Sequence, residues 1–87
     1  MSSVYVLRKN HYIPEGADEK EVNRQLICIE EGVFSYILDK HKERPIKINV
    51  EFVRLVTDRH PADEALRGLI GYQVVCKYTE YTKGRIE

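Results

Sequence analysis

The stretch DEKEVNRQLICIEEGVFSYILDKHK, residues 18–42, decides the fold because it is the one segment that clearly encodes a long helix. Asp18 followed three residues later by Glu21 is typical of a capping box, in which the Asp18 side chain accepts a hydrogen bond from a first-turn backbone N–H and the Glu21 side chain accepts one from the backbone N–H of Asp18. Basic residues in the last turn complement the helix dipole. Pro45 ends the segment, because proline disfavours helical geometry in the residue before it. The stretch therefore predicts one amphipathic helix.

Two apolar stripes run along this predicted helix. With Val22 placed at zero and about 100° per residue, Ile27, Phe34 and Leu38 lie at about 120–160°, beside the core-facing stripe. One sheet does not require so wide an apolar arc, so this second stripe predicts contact with a partner. The alternative is that the N-terminal segment or a short loop helix folds over it. The core-facing stripe consists of Val22, Leu26, Ile29, Val33, Tyr36 and Ile37.

Gly32 leaves a second interpretation of this stretch open. Glycine costs about 1 kcal/mol in mid-helix relative to alanine, and two strands within residues 25–38, joined at Glu31 and Gly32, would form a hairpin. The caps and the sustained helical period favour the helix. Glu30 projects inside the apolar arc, so it is either a candidate acid/base or recognition group, or a rim residue whose carboxylate lies in water.

The composition is that of one ordinary globular domain spanning residues 1–87. The chain is 43% apolar and 32% charged, and fourteen basic residues balance fourteen acidic ones. Zero net charge does not favour non-specific binding to nucleic acid or to a membrane surface, and no signal-peptide core or membrane-spanning run of about 18 apolar residues is present. Cys28 and Cys76 lack metal-ligand spacing and are typical of small buried hydrophobes in a reducing compartment. We therefore expect a cytoplasmic protein without a cofactor or metal.

Three segments alternate as strands do: residues 3–9, 46–56 and 70–81. The first carries apolar groups on both faces, Val4 and Val6 on one and Tyr5 and Leu7 on the other. It is therefore a candidate for a central or interface strand. In the second segment the alternation fails after Phe52, which predicts either a bulge or a strand end covered on both faces.

The element order predicts an α+β domain, a small three-stranded mixed sheet with the long helix on one face. The second and third strands are predicted to be antiparallel, and the choice between the first and second strand as the central one stays open. The sheet face away from the helix is predicted to be apolar. An apolar patch of this kind is typical of an interaction surface, and a homodimer is the simplest way to cover it together with the second helix stripe. Its residues are Tyr5, Leu7, Val53, Leu55, Val75 and Tyr81.

The connections hold the remaining polar candidates. Residues 10–17 are predicted to form a loop that carries His11. Residues 57–68 are predicted to form a loop with a short helix that starts at Pro61 and ends at Gly68. That second loop combines carboxylates with an imidazole, as a divalent-metal or proton-transfer site requires, but its spacing matches no H-x-x-x-H or H-E-x-x-H frame and a capped surface loop explains it. The side chains concerned are those of Asp58, His60, Asp63 and Glu64.

Three functions follow from these patterns. The favoured one is a non-catalytic protein–protein interaction or regulatory module that forms a homodimer. The alternative is a nucleic-acid-binding accessory protein that uses a basic cluster at the helix end, which dipole complementation also explains. The third is a small-ligand binder or enzyme built on Glu30, His11 or the His60 loop, which lacks a recognisable nucleophile, base and orienting group. The basic cluster consists of Lys40, Lys42, Arg44 and Lys47.

Overall fold

The computed structural model describes residues 2–41 and 47–81, and the side chains of all of these except Ser2 and Lys47. The fold is α+β, as the sequence predicts, with a three-stranded sheet and one long helix. In chain order the elements are β1 (Ser2–Pro14), α1 (Glu19–Lys40), β2 (Lys47–Asp58), a short 3₁₀ helix (Glu64–Leu66) and β3 (Leu69–Tyr81).

The helix α1 begins as its sequence predicts. The Asp18 Oδ1 atom accepts a hydrogen bond from the backbone N–H of Glu21 at 2.9 Å. The Glu21 carboxylate does not complete the capping box but bonds to Arg24 and Gln25, which lower its pKa from 4.5 to about 2. One uninterrupted helix covers residues 25–38, so the hairpin interpretation is wrong.

The strand order is β1-β3-β2, with β3 antiparallel to both neighbours. The antiparallel pairing of the second and third strands is confirmed. The prediction of a mixed sheet is wrong, and so is the expectation that the first or second strand is central. The physical reason is that α1 carries the chain back to the end of the sheet where β1 starts. The strand β2 therefore runs in the same direction as β1, and a gap one strand wide separates the two. The last strand fills that gap in the opposite direction, which makes both ladders antiparallel.

The strand β1 continues to Pro14, although the sequence predicts that it ends at Lys9 and that a loop follows. Its alternation persists because Ile13 is fully buried against α1, and His11 Nε2 lies 2.8 Å from Gln25 Oε1. Pro14 is tolerated because β1 lies at an edge of the sheet, where a missing N–H need not cost a ladder bond.

The core lies between α1 and the sheet and consists of two clusters of buried side chains. Phe52, from β2, packs against both clusters. Cys76 is buried as predicted, and burial raises the pKa of its thiol. The predicted burial of Cys28 and Tyr36 is wrong, because Cys28 lies on α1 away from the sheet and Tyr36 lies on the flank of α1 above β1, and both are exposed. One cluster contains Val33, Ile37, Cys76 and Tyr78, and the other Ile13, Leu26 and Val74.

The sheet is longer than the helix that covers it. A strand of 13 residues such as β1 extends about 44 Å, whereas the 22 residues of α1 extend about 33 Å. The overall extents of 57 × 22 × 18 Å describe an elongated, two-layered molecule. Part of one sheet face and all of the other therefore have no second layer in the described chain. Among the described residues, no helix combines the length and apolar character needed to cross a membrane.

Candidate interaction surface

The alternation of β2 continues past Phe52, and its register shifts only between Val56 and Asp58. Arg54 therefore stays on the helix side of the sheet, and Val53 and Leu55 lie on the opposite side. The predicted bulge is displaced toward the strand end. The expectation that this end is covered on both faces is also wrong, because Val53 and Leu55 are 52% and 45% exposed.

The sheet face away from α1 carries exposed apolar side chains among polar ones, and we call its apolar residues the open face. Val53 lies directly opposite Val75 in the pairing of β2 with β3. One row toward the other end of the sheet, Lys77 pairs with Glu51, so charged residues interrupt the apolar surface. Large apolar side chains open to solvent on both sides of a polar row are typical of protein-binding surfaces. The open face consists of Val4, Val6, Val53, Leu55, Val75 and Tyr81.

Two residues predicted for the open face lie on the helix side instead. The Tyr5 ring stacks on the Tyr78 ring with centroids 5.0 Å apart, and Leu7 packs against the core cluster of Cys76. The prediction is wrong because strand phase was assigned within the first few residues of β1. Their places on the open face belong to Val4 and Val6, which are 57% and 45% exposed.

The signal that identifies the correct phase of β1 lies further along the strand. Ile13 and Tyr5 are an even number of residues apart and therefore share a face. The buried Ile13 thus assigns the odd-numbered residues of β1 to the helix side. The predicted loop over residues 10–17 places Ile13 outside the strand and so hides this signal.

The second helix stripe is exposed along its whole length. Ile27, Phe34 and Leu38 are 38%, 42% and 48% exposed, and neither β1 nor the 3₁₀ helix covers them. We call these three residues the helix stripe. The explanation in which another segment of the chain folds over the stripe is therefore wrong for the described residues.

Glu30, the polar residue inside the apolar arc, forms an ion pair with Arg54. The Arg54 Nε and Nη2 atoms donate to the two Glu30 carboxylate oxygens at 2.8 and 3.0 Å, and Nη1 donates to Asn23 Oδ1 at 2.7 Å. The hydrogen bond to Glu30 is the main reason that the pKa of Arg54 is raised. Both oxygens of Glu30 are engaged, so this carboxylate attaches α1 to β2 and is not a free acid/base group.

An open groove of about 790 Å³ lies where α1 begins beside the end of β2. Its apolar lining includes Val22, Leu26, Val56 and Tyr72, and its charged lining includes Arg54, which is already paired. The groove exists because α1 starts at Glu19 and leaves the adjoining sheet end uncovered. Sequence patterns did not reveal it, because they identify apolar faces but not where a helix stops covering a sheet.

The polar loop between β2 and β3 is a capped turn. The Asp58 Oδ1 atom accepts a bond from the His60 N–H at 3.2 Å, and Asp63 Oδ1 accepts one from the Ala65 N–H at 3.0 Å. Because Asp63 caps it, the 3₁₀ helix begins at Glu64 and not at the predicted Pro61. In the part of the chain that the structure describes, no group of three or more His, Cys, Asp or Glu side chains is arranged to hold a metal.

Of the basic cluster, only Lys40 has a described side chain, and its Nζ lies 5.7 Å from the centroid of the Tyr5 ring. Lys42 and Arg44 lie outside the described residues, as does the side chain of Lys47. The described member of the cluster thus contacts an aromatic ring of β1, where it attaches the end of α1 to the sheet.

A polar contact that the sequence does not reveal lies at the same end. The His41 Nδ1 atom is 3.3 Å from Glu80 Oε2, and both side chains are nearly buried. The His41 ring also meets the Tyr78 ring edge to face, with centroids 6.0 Å apart. These contacts attach the end of α1 to the central strand and explain why Glu80 is tolerated in a buried position.

Comparison with known proteins returned no matching family model, no matching curated protein and no matching solved structure. The function must therefore be argued from the open face, the helix stripe and the groove.

Proposed function

We propose that this protein is a non-catalytic protein–protein interaction module that associates with itself. The observation that carries the proposal is the apolar area that the described chain leaves uncovered, the open face together with the helix stripe. An antiparallel sheet with one solvated face normally alternates apolar and polar side chains. Here Val53, Leu55 and Val75 interrupt that alternation on the solvated face.

The distribution of apolar side chains supports the same proposal. Among the described residues, seven hydrophobic side chains are buried, whereas eleven large hydrophobic side chains are exposed. A small domain with so limited a core gains most from joining its apolar surface to that of another chain. Self-complementary patches are the commonest route to closed oligomers, so a second copy is the simplest partner.

The polar groups near the apolar surfaces support binding more than chemistry. Arg54 bonds to Glu30 and Asn23, Asp58 bonds to the His60 backbone, and Asp63 caps the 3₁₀ helix. Each of these groups serves a structural contact, and none forms a nucleophile and base pair with a neighbour. Nucleic-acid binding remains the second hypothesis and gains no support from a net charge of zero.

The proposal is tested by measuring molar mass by light scattering from nanomolar to high micromolar concentration. We expect the mass to rise from that of one chain to that of two, with a midpoint that moves little with salt because the contact is apolar. A single-chain mass at high micromolar concentration would overturn the proposal. Association that is lost at high salt would replace it with a charge-driven interaction.

A further inference from the structure

The two flanks of α1 differ in what they present to the sides of the molecule. Asn23 and Glu30 lie on the β2 flank, because both bond to Arg54. At about 100° per residue, the helix stripe lies roughly 20–80° further from the sheet than these two residues. The helix stripe therefore projects sideways, beyond β2. The opposite flank, above β1, carries Gln25 bonded to His11 and the exposed Tyr36.

The outer edge of β2 lies directly below the helix stripe. As the last strand of the β1-β3-β2 order, β2 presents one row of backbone N–H and C=O groups without a strand partner in the described chain. Its residues 52–56 include four apolar residues and no proline, and the register stays regular as far as Val56. A long, regular and apolar strand edge is a template for pairing with another strand.

The outer edge of β1 is protected in ways that β2 is not. Arg8 and Lys9 are adjacent near its middle, so pairing of two β1 strands about this point would bring like charges together. Pro14 at its end cannot donate a ladder hydrogen bond. Charges and proline are the devices by which edge strands avoid association. Edge pairing between two copies is therefore favoured at β2.

We infer that two copies of this chain join along their β2 edges into one six-stranded antiparallel sheet, with both α1 helices side by side on the same face. This inference rests on the proposed self-association and specifies where the two copies meet, a contact that we call the seam. Phe52 packs on both core clusters and so lies level with the middle of α1. A two-fold axis close to Phe52 therefore places Phe34 near the axis, and Ile27 of one copy near Leu38 of the other.

The dimensions and areas agree with this arrangement. The two β3 strands lie three strand spacings apart, about 14 Å, and α1 with its side chains is about 10–12 Å wide. Phe34 and Leu38 are long enough to fill the space that remains between the helices. Six side chains flank the seam, and each is 38–52% exposed. If the full surface of each side chain is roughly 200 Å², the exposed area that the seam can bury is at most about 500 Å² per copy. With the strand backbone this approaches the roughly 800 Å² per partner of a stable interface. The six are Ile27, Phe34, Leu38, Val53, Leu55 and Val56.

Hydrogen exchange at two protein concentrations, one below and one above the association midpoint, tests the seam directly. We expect the outward amides of β2 to exchange more slowly in the associated protein, because they acquire strand partners. The outward amides of β1, which have no strand partner in the described chain, serve as the internal control and are expected to exchange equally at both concentrations. New protection of the outward amides of β1, or of neither edge in an associated protein, would overturn the inference and leave the proposed function intact.

A matched pair of substitutions on α1 tests the helix contact. Phe34→Glu places a charge in the seam, and we expect it to raise the dimer Kd by about 30-fold, as loss of a central aromatic anchor does. Tyr36→Glu places the same charge on the opposite flank, and we expect no change in Kd. Circular dichroism of both variants at low concentration checks that each monomer is folded.

Each outcome of this pair is informative. Loss of association in Tyr36→Glu but not in Phe34→Glu would overturn the inference, because it would place the contact on the β1 flank. An unchanged Kd in both variants would also overturn it while retaining self-association, and would direct attention to the open face. A single-chain mass of the unmodified protein at all concentrations would overturn both the inference and the proposed function.

Discussion

The two edge strands run in the same direction and pair with the same central strand, yet they are attached to the rest of the molecule differently. β1 is anchored by side chains inside the core, with Ile13 fully buried and Leu7 packed on the cluster of Cys76. Among its described side chains β2 has none that is fully buried, and it is anchored by the partly buried Ile48, Val50 and Phe52 and by the ion pair of Arg54, while the apolar residues near its end are 43–52% exposed. The comparison shows that a strand can pair along its whole length while some of its apolar side chains stay exposed to solvent.

The largest effect that this comparison predicts is on folding stability. Ile13→Ala removes a fully buried side chain and should lower the free energy of unfolding by about 2–5 kcal/mol. Val56→Ala, at the same end of the sheet on β2, should cost less than about 1 kcal/mol because the side chain is already 43% exposed. Urea denaturation below the association midpoint measures both. Equal losses would contradict the proposed difference between the two edges.

A smaller effect on stability is predicted at Gly71 of the central strand, where side chains of both edge strands come close together. A Cβ at Gly71 would lie 2.9 Å from Tyr12 Cε2 of β1 and 3.2 Å from Thr57 Oγ1 of β2. Gly71→Ala should therefore destabilise the fold by about 1–3 kcal/mol through overpacking.

The matched control for that substitution is Gly32→Ala. A Cβ at Gly32 meets nothing within 4 Å, so this change should stabilise the helix by about 1 kcal/mol. Thermal unfolding of both variants measures directly whether the first is destabilised and the second stabilised. A neutral Gly71→Ala would mean that the Tyr12 ring and the neighbouring side chains of β2 move away without cost.

The smallest predicted effect concerns the polar attachment of β2 to the helix. Glu30→Gln and Arg54→Met, combined in a double-mutant cycle, should give a coupling energy of about 0.5–1 kcal/mol, because the pair is only partly buried. The cycle is measured by urea denaturation of the monomer. The pair Glu21 and Arg24, exposed on α1, offers a control cycle in which we expect weaker coupling. A coupling energy of zero between Glu30 and Arg54 would show that the pair does not attach β2 to α1.

The sequence predicted those parts of the fold that depend on neighbours along the chain. The Asp18 cap, the continuity of α1 and the inward residues of β3 follow from helical and strand periods, which are local. The strand order does not follow from these local periods, because it depends on where the last strand inserts into the sheet. The burial of Cys28 was predicted wrongly, since an apolar neighbour such as Ile27 does not show which way a helical side chain points.

Only part of the candidate surface could be predicted from the sequence, because the pattern along one strand is local whereas the face that a strand presents depends on its pairing. Val53 and Leu55 were identified because they interrupt a regular alternation on one strand. Tyr5 and Leu7 were assigned to the wrong face, because strand phase depends on pairing with β3 and on Ile13. The ion pair of Glu30 with Arg54 joins residues 24 positions apart, and no short-range pattern reports such a contact.

The central position of the last strand has a consequence for how the chain folds during synthesis. Both ladders require β3, and the pairing of Ser2 with Tyr81 joins residues near the two extremes of the described chain. While β3 is still within the ribosome, α1 can form but neither β1 nor β2 has its native strand partner. Because such distant pairings form slowly, the nascent chain presents two unpaired apolar strands until β3 emerges. The sheet therefore assembles in a single late step.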